Sequence, residues 1–268
     1  MTVAVVTGAG RGIGRAIAAR LAADGAAVVI ADIDADSART AAAGIAHSVA
    51  RTLDVTDAQA FSDLVAEVEA ELGPVGVLVN NAGIMPIGPF ESHDAATDRR
   101  VFDVNVHGVL NGVRAVLPGM LARRSGHIVN ISSTAGAATP PGGTVYAGSK
   151  HAVVGISDGL RLEFADRGIS VSVILPSFTA TELIAGTAGV RGMPTVTPEQ
   201  VADVVAQALR RGSRAYFVPR WLRGSMSSRN ILPTKVNDAV ARISGASRVF
   251  LDFDRNARQA YDKRIEQG

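Results

Sequence analysis

The sequence predicts a doubly wound α/β sandwich, a parallel sheet of about seven strands with helices on both faces. Three observations carry this expectation. Short runs rich in β-branched residues recur along the chain, long alanine-rich stretches with helical spacing separate them, and apolar character within the short runs is nearly continuous instead of alternating. Continuous apolar runs mark strands buried on both faces, the habit of parallel sheets covered by helices.

The strand runs, in order, are "VAVVTG", "AAVVIAD", "SVARTLD", "VGVLVNN", "GHIVNISS", "ISVSVILP" and, more weakly, "RAYFVP". No repeat or low-complexity segment interrupts them, and no Pro-, Gly- or Ser-rich linker divides the chain before about residue 175. Two looser stretches follow: "PSFTATELIAGTAGVRGMPTVTP", read as a mobile flap, and "RWLRGSMSSRNILPTK". Residues 1–220 are expected to form one dinucleotide-scale domain, and 221–268 a C-terminal extension packed on or near it.

Composition narrows the function classes. A chain of 268 residues with 47% apolar and 19% charged residues can bury one large core. No stretch is apolar for the roughly 18 residues that span a bilayer. The N-terminal "MTVAVVTGAG" has no basic leader, and there is no cysteine for disulfides, so a cytoplasmic location is expected. Net charge is +2 but uneven: Arg211 to Gly268 holds 12 basic and 5 acidic residues. With only 4% aromatic residues and no nucleic-acid motif, this basic tail is read as a solvated or subunit-packing segment, not a nucleic-acid site.

The first strand run leads into "GAGRGIGRAIAARLAADG", which sets Gly8, Gly12 and Gly14 at a strand-to-helix joint. A glycine-rich turn there lets backbone approach a pyrophosphate, whose charge the free N–H groups and the helix dipole stabilise. The spacing G-x-x-x-G-x-G matches the dinucleotide fingerprint in mechanism but not in letter. Asp32, at the end of the second strand run, falls where a carboxylate can accept both hydroxyls of an adenosine ribose. That favours NAD, because a 2′-phosphate would meet like charge; Arg11 is the cation that keeps NADP open.

Lysine occurs only at positions 150, 235 and 263, against 24 arginines, and there are three tyrosines in all. One of each stands in "TVYAGSKHAVVG", where Tyr146 and Lys150 share a face of a predicted helix at i, i+4. An ammonium beside a phenol stabilises the phenolate and lowers its pKa, which suits a proton shuttle. The compact lysine head also reaches a ribose hydroxyl in a way a planar guanidinium does not. Ser133, at the end of the fifth strand run, falls on the same carboxyl edge of the sheet, where open α/β folds bind ligands.

Together "TGAGRGIG", the "NNAG" of residues 80–83, Asn105 in "DVNVHG", Ser133 and "YAGSK" resemble the short-chain dehydrogenase/reductase family, in its compact single-domain, Rossmann-type branch. The resemblance spans about residues 2 to 220. It implies that Tyr146 is the general acid/base, that Lys150 lowers its pKa and holds the nicotinamide ribose, and that Ser133 orients the substrate oxygen. Asn105 is implied to position a water for proton relay; an amide capping local backbone is the alternative. Cofactor contacts are implied for Gly8, Arg11, Gly12, Ile13 and Gly14 in the turn, for Asp32, for Asp54 and Val55, and for Asn80, Ala82 and Gly83. Pro176, Thr179 and Thr181 are implied at the nicotinamide end. The chain departs from the family's P-G-x-x-x-T by reading "PSFTAT", so Ser177 would be strained if that position needs positive φ.

The resemblance implies hydride transfer between NAD and a secondary alcohol or ketone. The segments expected to line the pocket, "GIMPIGPFESH", "TAGAATPPGGT" and "PSFTATELIAGTAGVRGMP", are apolar and short of charge, which suits a hydrophobic skeleton. No metal is expected, since histidines 47, 93, 107, 127 and 151 lack ligand spacing. A homodimer or homotetramer is implied through the helices near residues 98–124 and 145–167. The segment with Arg220, Trp221, Leu222, Arg223, Arg229, Ile231 and Leu232 reads as a lid or a shallow contact with anionic membrane, with subunit packing as the alternative. Rival readings are an NADP-dependent carbonyl reductase, a catalytically idle NAD(P)-binding regulator, and an epimerase or dehydratase on the same scaffold.

Overall fold

The computed structural model describes residues 1–212, 214–229 and 233–267. Seven strands form one all-parallel sheet: β1 (Val3–Thr7), β2 (Ala27–Asp32), β3 (Ser48–Thr52), β4 (Val75–Asn80), β5 (Gly126–Ile131), β6 (Ile169–Pro176) and β7 (Ala215–Val218). Their order is β3-β2-β1-β4-β5-β6-β7, so the direction of winding reverses between β1 and β4. A crevice opens at such a reversal, beyond the strands' carboxyl ends.

β1 shows why the sheet is covered on both faces. Its five residues are all buried, and they alternate between two cores. Ala4 and Val6 pack with Val28, Ile30, Ile17 and Val205, on the side of α1 (Gly12–Ala23) and α7 (Pro198–Arg211). Val3 and Val5 pack with Val29, Phe61, Val113 and Met120, on the side of α3 (Ala58–Leu72) and α5 (Gly108–Arg123). The continuous apolar runs therefore feed two separate layers. α2 (Ala35–Ala43) lies against β2 and β3, and α6 (Thr144–Glu163) against β6.

Helix starts follow ordinary capping chemistry. Asp34, Asp57 and Asp94 cap α2, α3 and α4 (Ala95–Phe102), and Thr197 with Gln200 forms a capping box on α7. α1 is different: Arg11 stands at its N-cap and makes no side-chain cap.

The chain after β7 folds back over the carboxyl edge. It carries α8 (Leu222–Arg229), α9 (Thr234–Ser244) and α10 (Arg255–Gln267), and the loop between α9 and α10 holds Val249 and Phe250. Hydrogen bonds stitch this extension to the segment after β6: Arg191 N–H donates to the Ser244 carbonyl and Asp254 N–H to the Gly186 carbonyl, both at 2.9 Å. The Phe178 and Phe250 rings meet at 5.8 Å. The flap and the tail thus form one wall.

Two sequence expectations change here. Ser177 is not among the residues with positive φ; its N–H donates to the Val218 carbonyl at 2.8 Å and its hydroxyl to the Pro194 carbonyl at 3.3 Å. Serine fits this position without strain because the backbone is ordinary. The proposed lipid-facing belt is thinner than the sequence suggests, since Trp221 is 55% exposed but Leu222 only 1%. Ile231 and Leu232 lie outside the described residues. Among those described, no helix is long and apolar enough to cross a membrane.

Candidate active site

A cleft of about 1050 Å³ runs along the carboxyl edge, from the β1–α1 turn to the C-terminal extension. That volume stands at the upper end of small-molecule sites.

At one end the walls are largely backbone. Gly8 and Gly12 have φ of 61° and 51°, and a Cβ on Gly8 would stand 2.8 Å from the Ala82 Cα. The turn can therefore lie directly against the chain after β4 only without a side chain. Asn81 locks it there, donating from Nδ2 to the carbonyls of Thr7 and Gly8 at 2.9 and 3.0 Å. The α1 N-terminus, left without a side-chain cap, opens on this end and makes a cradle for an anion.

Asp32 is buried at the tip of β2. Its Oδ2 accepts from Gly10 N–H at 2.9 Å and its Oδ1 from Asp34 N–H at 3.0 Å, which fixes the carboxylate in the cleft wall with lone pairs to spare. Arg11 turns to Asp34 and to the Ser37 hydroxyl. Hydrogen bonds from Ser37, with Arg11 adding its charge, hold the Asp34 carboxyl down at about 2. Asp54 and Val55 form the adjoining wall, with Asp54 Oδ1 accepting from both the N–H and hydroxyl of Thr56.

At the middle of the cleft stand Ser133, Tyr146 and Lys150. Helical spacing puts Tyr146 and Lys150 on the buried face of α6, with the ammonium 5.7 Å from the phenol ring centroid. Lys150 Nζ donates to the Ile131 carbonyl at 3.1 Å. Ser133 Oγ accepts from Ala135 N–H at 3.1 Å, and its hydroxyl bonds Tyr146. Burial pushes the Tyr146 phenol well above its ordinary value; the Ser133 hydrogen bond opposes this and the nearby Tyr261 adds to it. Burial also pulls Lys150 down to about 8. The expected lowering of the phenol by Lys150 is thus outweighed in this geometry, because desolvation of both groups dominates. Burial therefore favours the protonated form of the Tyr146 phenol.

Three expected contacts fall outside the cleft lining. Gly14 sits behind the turn, where a Cβ would come within 2.2 Å of the Gly8 carbonyl oxygen. Asn80 is buried between strands and α5, donating to Asn130 Oδ1 at 2.9 Å and to the Val109 carbonyl at 3.4 Å; Asn81 is the one that reaches the cleft. Asn105 lies in a π-helical turn, Asp103–His107. Its amide clamps the chain after β4, accepting from Ile84 N–H at 2.8 Å and donating to the Ile84 carbonyl and the Ser149 hydroxyl at 3.0 Å. The amide thus braces the chain after β4 against α6. The other expected residues line the cleft together: Gly8, Arg11, Gly12, Ile13, Asp32, Asp54, Val55, Ala82, Gly83, Ser133, Tyr146, Lys150, Pro176, Thr179 and Thr181. Thr181 approaches the phosphate-side turn, where a Cβ on Gly12 would stand 3.3 Å from its methyl group.

At the far end, residues of the C-terminal extension that the sequence reading did not single out join Met85 of an expected pocket segment. Met85, Val249 and Phe250 are buried with Tyr146 in one apolar cluster, and Tyr261, also buried, lines the cleft and accepts from Met85 N–H. Among the described residues no group of three or more potential ligands could hold a metal.

A seven-stranded parallel sheet with a glycine turn at its reversal point and a Ser-Tyr-Lys group on the same edge defines a Rossmann-type protein equipped for dinucleotide chemistry. The chain belongs to the short chain dehydrogenase family, whose description it matches over residues 2–188. It is 36% identical over 225 residues to 1-deoxy-11-beta-hydroxypentalenate dehydrogenase of Streptomyces exfoliatus, covering 80% of this chain and 81% of the relative. It is 38% identical over 223 residues to glycine betaine reductase ATRR of Emericella nidulans, but spans only 18% of that protein. Its fold is similar to a short chain dehydrogenase/reductase from Burkholderia phymatum solved in complex with NAD, with a TM-score of 0.77 and 28% identity over 85% of this chain and 92% of the other.

Proposed function

We propose that this chain is an NAD-dependent oxidoreductase that acts on a secondary alcohol or ketone carried on a hydrophobic skeleton, with Tyr146 as general acid/base. The observation that carries the reading is the convergence of Ser133, Tyr146 and Lys150, with the uncapped α1 turn and Asp32, on one cleft. The dinucleotide fits that cleft by shape and donor set: the glycine turn and free helix N-terminus suit its pyrophosphate, and Asp32 suits the ribose hydroxyls. NAD is favoured because Arg11 is already committed to Asp34, leaving two carboxylates where a 2′-phosphate would lie. When bound, the nicotinamide supplies the hydride chemistry.

The protein's own residues handle the proton. In the direction of reduction, a neutral Tyr146 donates its phenolic proton to the carbonyl oxygen while Ser133 holds that oxygen by its hydroxyl. Lys150, charged below about pH 8, stabilises the phenolate left behind and is placed to hold the nicotinamide ribose. Asn105 is assigned to position a water for proton relay beside Lys150; its amide oxygen and the Lys150 ammonium both lie close to Gly83. Residues 1–220 are taken as the catalytic portion and 221–268 as its substrate-side cover. The exposed Phe102 on α4 and Leu162 on α6 support a homodimer or homotetramer, and the lack of cysteine a cytoplasmic setting.

A panel of hydrophobic ketones and secondary alcohols, followed at the nicotinamide absorbance with NAD(H) and NADP(H), tests the reading. Turnover with NAD(H) at least tenfold preferred supports it. Cofactor binding with no turnover would point to the idle regulator, and a preference for NADP(H) to the carbonyl reductase.

A further inference from the structure

Tyr261 is one of three tyrosines in the chain, and it lies in the cleft with Tyr146. Its side chain is buried, and it lines the cleft together with Met85, Phe250 and Tyr146. Its oxygen accepts from Met85 N–H at 2.9 Å, and among the described residues nothing accepts its own proton. Burial pushes this phenol up to about 12, so the O–H is retained at any working pH. A buried hydroxyl with its proton unclaimed, on a residue that lines a cavity, is a donor in search of an acceptor.

The support beneath it is unusually complete. The Arg258 guanidinium, 0% exposed, stacks 4.6 Å from the Tyr261 ring. It donates to the carbonyls of Met85, Leu183 (2.7 Å) and Ala185 (3.5 Å) and to Asp262 Oδ1 (3.0 Å). One buried cation therefore ties α10 to the chain after β4 and to the segment after β6, and holds the Tyr261 ring between them. The other cation near the ring, Arg264 at 5.4 Å, is paired with Glu182. Both guanidiniums beside the ring are matched by carboxylates, so Tyr261 offers a neutral donor between paired charges.

Resting on the oxidoreductase reading above, we propose that Tyr261 is a specificity-determining residue whose hydroxyl donates a hydrogen bond to a second, uncharged oxygen of the substrate, other than the reacting carbonyl. The substrate is then an apolar skeleton that carries a ketone, hydroxyl or ester oxygen in addition to the one that is reduced or formed. Arg258 is a positioning residue for that hydroxyl.

The test compares two matched series of ketones, bicyclic monoketones such as 1-decalone and bicyclic diketones of the same skeleton, on wild type and Tyr261→Phe. The wild type is expected to prefer the diketones by about tenfold in kcat/KM, the worth of one hydrogen bond of about 1.4 kcal/mol, and Tyr261→Phe to bring that ratio close to one. NADH affinity and the melting temperature of the variant, measured in parallel, report whether it is folded. A ratio near one in the wild type, or a ratio unchanged in a folded Tyr261→Phe, overturns the proposal. No turnover of either series by a wild type that binds NADH overturns the oxidoreductase reading itself and the proposal with it.

Discussion

The two ends of the cleft are built by different means. The dinucleotide end is made of backbone: a glycine turn pressed on the chain after β4, the bare N-terminus of α1, and one carboxylate at a strand tip. The far end is made of side chains, and the last fifty or so residues of the chain supply many of them, with Arg258 as the tie. Backbone recognition tolerates little change but is indifferent to what the substrate is. Side-chain recognition can be rewritten residue by residue. The difference separates what the fold requires from what this particular chain selects.

The largest expected effect is at the backbone end. Gly14→Val sets a Cβ at 2.2 Å from the Gly8 carbonyl and 2.6 Å from Asn81 Nδ2, contacts no rotamer can relieve. Loss of about 3 kcal/mol or more and of detectable NADH binding is expected, read by thermal melting and nicotinamide fluorescence. Arg258→Met comes next. It removes the donor from the Met85, Leu183 and Ala185 carbonyls and strands Asp262, with an expected loss of about 3 kcal/mol. Limited proteolysis should then cut first in the extension, with NADH affinity changed far less than turnover. Asp32→Ser sharpens the comparison from the other side. It should weaken NADH binding by about 10- to 100-fold, narrow or reverse the preference over NADPH, and leave the ranking of ketones intact.

The smallest effect belongs to neither end. His127 is buried near the start of β5, against the Ser172 hydroxyl at 2.9 Å, and burial pulls it down to about 4. The unfolded chain binds this proton below about pH 6.5 while the folded one does not until about pH 4, so stability falls as pH falls through that window. Near pH 5 the loss from this group is roughly 2 kcal/mol, and His127→Gln should flatten that part of the stability profile without altering substrate preference.

The same contrast explains what was legible in the sequence. The strands could be read because burial on both faces leaves a continuous apolar run, and β1 through β7 fall on the seven runs. The glycine turn, Asp32 and the Tyr146–Lys150 pair could be read because each is local: a few residues with a spacing that geometry requires. Asn80 and Asn81 could not be told apart, since consecutive residues at a strand end point opposite ways and only the packing decides which faces the cleft. Arg258 was hidden for a different reason. Within a basic tail it reads as one more solvated charge, yet it is fully buried, because its partners are carbonyls more than seventy residues away in the chain. The available signal was local and faint, an Arg, Tyr and Asp at 258, 261 and 262 on one helical face.

The central claim is that the Tyr146 hydroxyl carries the proton at the point where both ends meet. Its most direct test is the single-turnover rate of NADH oxidation by a bound ketone in Tyr146→Phe, a change that removes one oxygen and keeps the ring. The rate is expected to fall by about a thousandfold while NADH affinity moves no more than a few-fold. A rate within a few-fold of the wild type, with the variant folded and NADH bound, would contradict it.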